Sequence, residues 1–199
     1  MRPIFFTAIF LLLPQVAWAG EFNKKLNVGA TAPAWADLPG TDGKKHALSD
    51  LKDKDLVVVV FTCNSCACSE EYEDRIMAFA KDHAARVALV AINVNTIAED
   101  KLDAMKKKAE KRKFTFPYLY DESQKIARDY GAVYTPEFFV LNKERKIAYM
   151  GSMDDKTKAD EVKDKYLEDA IAALLKGEAP AKSETQGRGC LIRYKRNRD

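Results

Sequence analysis

Cys63 and Cys66, separated by two residues, close the run Val57-Val58-Val59-Val60-Phe61-Thr62, while two further thiols stand at Cys68 and, far along the chain, Cys190. A dithiol at this spacing can cycle between thiols and disulfide, hold a soft metal ion, or form a permanent cross-link. A closed zinc site needs four ligands, and neither His46 nor His83 shows ligand spacing to Cys68 or to the other histidine. Copper(I) needs only two or three thiolates. The surrounding residues favour redox chemistry. Four consecutive valines and a phenylalanine without polar alternation indicate a strand covered on both faces. From Ser69 onward Tyr72, Ile76, Phe79 and His83 recur at helical spacing. The cysteines are therefore expected at the C-terminal edge of a central strand and the start of a helix, where free N–H groups and the helix dipole favour thiolate. Cys63 and Cys66 are close enough to pair, whereas Cys66 and Cys68 fall on different sides of a helix. Cys68 reads as a small buried residue.

The elements that must position this pair follow along the chain. Residues 1–19 have the pattern of a removable leader: Arg2 supplies charge, Ile4 to Leu13 a short apolar core, and Ala17-Trp18-Ala19 a small-x-small end. Export is expected, without stable membrane insertion once the leader is cleaved, and an oxidising compartment allows the cysteines to pair. The expected domain covers 20–178, with a charged tail over 179–199 that carries Cys190. Removing Arg2 from the 33 basic residues leaves 32 against 30 acidic ones. A balance of +2 gives no electrostatic basis for a nucleic-acid partner.

Arg86 to Asn95 reads as a second buried strand, so the intervening helix is the crossover of a parallel βαβ unit. Glu99–Lys113 reads as a helix, with Lys106-Lys107-Lys108 on its solvated side. Phe116–Tyr120 is a short extended piece, and Glu122–Tyr130 a short helix stopped by Gly131. Thr135–Leu141 and Lys146–Met150 form an antiparallel hairpin, and Asp160–Lys176 a final amphipathic helix.

This order, with Thr135-Pro136 entering the hairpin, resembles the thioredoxin fold: an α/β domain whose central mixed sheet ends in an antiparallel hairpin and is flanked by helices. Val28-Gly29-Ala30-Thr31-Ala32-Pro33, Thr62-Cys63-Asn64-Ser65-Cys66, Phe116-Pro117-Tyr118-Leu119-Tyr120 and Gly189-Cys190-Leu191-Ile192 further resemble the redoxin group, which includes alkyl hydroperoxide reductases and thiol-specific antioxidant proteins. The match is to its CxxC-containing, peroxiredoxin-like members. The resemblance implies that Pro136 is cis and packs against the cysteines, leaving the backbone of Thr135 to pair with a bound peptide.

The expected activity is thiol–disulfide exchange on protein disulfides with a thiol reductant and no cofactor or resident metal. Cys63 attacks, Cys66 resolves, and Pro136 and Thr135 shape the site. An alternative is a thiol peroxidase in which Cys66 becomes a sulfenic acid that Cys63 or Cys190 resolves, with Thr62 and Arg128 replacing the usual peroxide-stabilising groups. A third is a copper(I) protein using Cys63, Cys66 and Cys68. Cys190 is the candidate second resolving thiol. Leu191, Ile192 and Tyr194 beside it suggest that the tail docks on the domain.

Overall fold

Val57, Val59 and Phe61 point to one side of their strand and Val58 and Val60 to the other, and each set enters a separate apolar core. This is the physical meaning of the unalternated run: both faces are covered, so neither can be polar. The structure is a computed structural model that describes residues 20–195.

A small antiparallel pair, β1 (Leu38–Pro39) and β2 (Lys45–His46), precedes the central sheet. That sheet is built from β3 (Leu56–Phe61), β4 (Val87–Asn93) and β5 (Tyr118–Tyr120). After β6 (Tyr134–Thr135) the sheet is completed by β7 (Glu137–Leu141) and β8 (Ile147–Gly151), in the order β5-β4-β3-β7-β8. β3 pairs in parallel with β4 and antiparallel with β7, which places it in the middle. Far along the chain β9 (Cys190–Leu191) pairs antiparallel with β6.

The helices are α1 (Ala67–Asp82), α2 (Leu102–Arg112), α3 (Lys125–Tyr130) and α4 (Tyr166–Leu175). Tyr72, Ile76 and Phe79 of α1, Met105 of α2, and Leu167 and Ile171 of α4 pack on the Val58/Val60 face. Ile126, Ala127 and Tyr130 of α3 pack on the other, where Phe139 meets Phe61 and Tyr130 edge to face. Gly131 closes α3 at φ 66°, a left-handed position that glycine adopts without a Cβ penalty.

Three helices are shorter than their sequence patterns suggest. The expected Glu99–Lys113 helix is interrupted at Lys101, which is extended at ψ 159°. The Asn93 side-chain amide donates to the Asp100 carbonyl and draws it out of the helical ladder. The expected start at Glu122 moves to Lys125 because the Asp121 carboxylate accepts the N–H groups of Ser123 and Ile126. The expected Asp160–Lys176 helix begins only at Tyr166. Asp155 accepts the N–H groups of Lys163 and Asp164 and holds that stretch as a loop. Short polar side chains that bond nearby backbone compete with helix in this way.

Truncating Phe139 to Ala removes the ring shared by the two edge-to-face contacts and leaves a cavity at the centre of the sheet. A loss of about 3–5 kcal/mol is expected in urea unfolding; a change within experimental error would show that this face is not the core.

Candidate functional site

The site begins where β3 ends. Asp100, itself buried, holds the loop that carries the cysteines: its carboxylate accepts the N–H of Asn64 at 2.6 Å, the N–H of Ser65 at 3.1 Å and the Ser65 hydroxyl at 2.6 Å. The Asn64 side chain in turn donates to the Glu99 carbonyl and accepts from the Tyr118 hydroxyl. With its loop fixed on both sides, Cys66 takes an extended conformation as the N-cap of α1.

Opposite the loop lies the Thr135–Pro136 peptide bond, which is cis. Proline has no N–H and cannot continue a ladder, so the expected single strand is split into β6 and β7 at this residue. The Thr135 hydroxyl lies 3.5 Å from Cys63 Sγ, and its carbonyl oxygen 3.4 Å from Cys66 Sγ. Glu137, one residue past the proline, accepts the N–H groups of Val133 and Tyr134 at 2.7 and 2.8 Å and so anchors the approach to the cis bond.

Cys66 is bonded to Cys190, not to Cys63. The expected Cys63–Cys66 pair is thus not the bond formed here, because β9 carries Cys190 in register with Thr135, directly against the first turn of α1. Gly189 permits the approach: a Cβ there would collide with the Thr135 carbonyl. The tail is docked along its length. Ile192 N–H donates to the Val133 carbonyl, Arg193 N–H to the Asn95 side chain, and Lys195 N–H to the Gln124 side chain. Ile192 is buried, while Leu191 leaves its side chain 66% exposed and docks through its backbone pairing with Tyr134.

Cys63 is a free thiol at 3% exposure, 3.9 Å from the Ser69 hydroxyl. Burial pushes its thiol above the usual range and Asp100 adds to the effect, outweighing the hydrogen bonds from Thr135 and Ser69. The expectation of a dipole-stabilised thiolate does not fit Cys63 in this arrangement; desolvation outweighs the helix dipole. A narrow pocket lined by Thr62, Cys63, Lys108, Phe114, Phe116 and Tyr118 lies beside the sulfur. Arg128 is not placed as a peroxide-stabilising group, since its guanidinium stacks over Tyr194 and donates to the Lys195 carbonyl. The sulfur atoms that gather are those of Cys66, Cys68 and Cys190, with Cys190 standing where Cys63 was expected in a soft-metal trio.

The sequence pointed to none of Asp100, Ser69 and Glu137, and to Gly189 only as part of a motif, without its steric role. Glu137 carried a legible signal, an acid beginning an apolar strand directly after proline. Asp100 carried none, because its role depends on a loop more than thirty residues away.

A strand–CxxC–helix unit facing a cis-proline strand defines a thioredoxin-like thiol protein. The Redoxin family pattern matches residues 27–169. Thiol-disulfide oxidoreductase ResA of Geobacillus thermodenitrificans (strain NG80-2) is 26% identical over 151 residues, covering 74% of this chain and 83% of that protein. A crystal structure of a hypothetical protein from Sinorhizobium meliloti 1021 superposes with a TM-score of 0.79 at 32% identity, covering 85% of this chain and 96% of the other. An uncharacterized conserved protein from Geobacillus kaustophilus superposes with a TM-score of 0.80 at 33% identity, over 85% and 93%. The chain belongs to the Redoxin family and is an oxidoreductase of thiol chemistry.

Burial raises the Glu137 carboxyl to about 7, against 4.5 ordinarily. The folded state therefore binds more protons than the unfolded state between these values, and stability falls as pH rises through that window. Glu137→Gln keeps an acceptor for the two N–H groups and should remove this slope. Relative to wild type, the variant should gain on the order of 1–3 kcal/mol near pH 8 and nothing near pH 4 in urea unfolding. Parallel pH dependences for the two proteins would refute the assignment.

Proposed function

We propose that this protein is an exported thiol–disulfide oxidoreductase acting on protein disulfides. The observation that carries the reading is a third thiol in the same site as a disulfide: Cys63 and Cys66 lie on one loop facing Thr135, and Cys66 is bonded to Cys190 on the strand paired with Thr135. Support for the activity comes from the ResA relative, and support for export from the leader-like pattern of residues 1–19. That segment lies outside the described residues. Among those described, no helix is long and apolar enough to cross a membrane.

The proposed cycle uses only thiol–disulfide exchange. Cys63 thiolate attacks Cys66 Sγ; the Cys63–Cys66 bond forms, the Cys66–Cys190 bond breaks, and Cys190 leaves as thiolate. A dithiol reductant then donates two electrons and two protons to Cys63–Cys66 and departs as its own disulfide. Reduced Cys63 attacks a client disulfide, one client sulfur leaves, and Cys66 resolves the mixed disulfide by attacking Cys63 and releasing the second client thiol. Thr135 contributes its hydroxyl to Cys63 and, where a client segment displaces β9, its backbone to that extended segment. Because Cys63 is held protonated by burial, the first exchange requires its deprotonation and should quicken with pH beyond the ordinary thiol range.

One observation favours a second reading. The Cys66–Cys190 bond is also the product expected when a peroxide oxidises Cys66 thiolate to sulfenic acid, releasing an alcohol or water, and Cys190 condenses with it to release water. No arginine donates to Cys66 or Cys63 among the described residues, which removes the usual stabiliser of the leaving oxygen.

Trapping decides between the two. Cys66→Ser should accumulate mixed disulfides through Cys63 when the reduced protein meets client disulfides, whereas Cys63→Ser should accumulate few. Stoichiometric sulfenic acid on Cys66 in Cys190→Ser treated with hydrogen peroxide, together with no exchange on protein disulfides by wild type, would replace the oxidoreductase reading with the peroxidase.

A further inference from the structure

Three sulfur atoms meet at the start of α1. Sγ of Cys66, Cys68 and Cys190 all lie within 4.8 Å of one another, a grouping that the exchange cycle does not use, since Cys68 takes no part in it. Cys68 is free and half-buried, not the small buried residue expected from the sequence. We propose that the reduced protein binds one copper(I) ion through the thiolates of Cys66, Cys68 and Cys190, and that formation of the Cys66–Cys190 disulfide abolishes the site.

The backbone that carries the three cysteines is held by contacts other than that disulfide. Cys66 is the N-cap of α1 and Cys68 lies in its first turn, two places on one rigid element. Cys190 is held by β9 pairing with β6 and by backbone and side-chain bonds farther along the tail. Ile192 N–H donates to the Val133 carbonyl, the Gln124 side chain donates to the Arg193 carbonyl and accepts from Lys195 N–H, and the Tyr194 hydroxyl donates to the Ala132 carbonyl at 2.6 Å. None of these contacts involves sulfur. Cutting the disulfide therefore leaves the third thiol beside the other two, so little ordering remains to be done when an ion arrives.

The donor set selects the ion. Three soft thiolates suit copper(I), whereas a structural zinc site takes four ligands. The two histidines are engaged elsewhere, His46 with Asp42 and His83 with Glu168. A three-thiolate copper(I) complex is anionic, and the free N–H groups and dipole of the first turn of α1 stabilise negative charge at this position. The opening step balances: a dithiol gives two electrons and two protons to Cys66–Cys190 and leaves as its disulfide, after which the bound cation displaces the thiol protons to solvent. Copper does not change oxidation state.

The test uses the full chain, reduced and kept without oxygen, titrated with copper(I) acetonitrile complex against a chromogenic copper(I) chelator. Reduced wild type and Cys63→Ser should each retain one equivalent with three sulfur neighbours in X-ray absorption; Cys68→Ser, Cys190→Ser and oxidised wild type should lose retention. In reduced wild type, copper(I) should also protect Cys66, Cys68 and Cys190 from alkylation, a readout that needs no variant to fold. Retention by Cys68→Ser equal to that of wild type, retention abolished by Cys63→Ser, or equal binding by the oxidised protein would each overturn the assignment. Disulfide exchange does not enter any of these readouts, so the copper site and the proposed activity stand or fall separately.

Discussion

Thr135 is the residue on which the arrangement of sulfur depends, because each of its polar parts meets a different cysteine. Its hydroxyl faces Cys63, its carbonyl oxygen lies beside Cys66, and its backbone pairs with Cys190. A single residue on a fixed strand thus meets three cysteines from two distant parts of the chain. Pro136, which follows, breaks the strand, so that β7 lies in the central sheet while β6 stays outside it and pairs with β9.

Asp100 is the counterpart on the opposite side. Its carboxylate accepts three hydrogen bonds from the cysteine loop, which satisfies a buried charge and fixes the loop in the same act. The same charge opposes ionisation of Cys63. The group that orders the loop therefore adds to the burial that raises the pKa of its first thiol. Ordering and reactivity are opposed here, and the structure resolves the conflict in favour of order while the tail is docked.

The fold was largely legible because its signals are local. Apolar runs at Val57–Phe61 and Val87–Ile92, helical spacing through Tyr72, Ile76 and Phe79, and glycine at 131 each state their own conformation. Helix ends were less legible, since Asp121, Asp155 and Asn93 shorten helices by bonding backbone that the pattern alone assigns to a helix. In the site, the cysteines, Thr135 and Pro136 could be named from the sequence, but their connections could not. Spacing makes Cys63 the natural partner of Cys66; the observed partner is supplied by strand pairing between residues 134–135 and 190–191, two positions with no sequence relation. The burial of Cys63 was invisible for the same reason, since it depends on contacts that arrive from β6 and from α1 together.

The separation of 124 residues between Cys66 and Cys190 has a consequence for the nascent chain. Cys63, Cys66 and Cys68 emerge from synthesis as a group, and Cys190 follows only after every strand of the central sheet has been made. If oxidation begins early, Cys66 has only its two near neighbours as partners, and the bond formed then must later be exchanged. The late bond closes a loop of a size for which chain-entropy accounting gives roughly 4–5 kcal/mol of stabilisation. The tail thereby acts as a seal on completed synthesis: its strand can dock only once β6 exists, and its thiol reaches Cys66 only once it has docked. Docked Cys190 then attacks Cys66 of an early Cys63–Cys66 bond, and Cys63 leaves as the free thiol of the finished site.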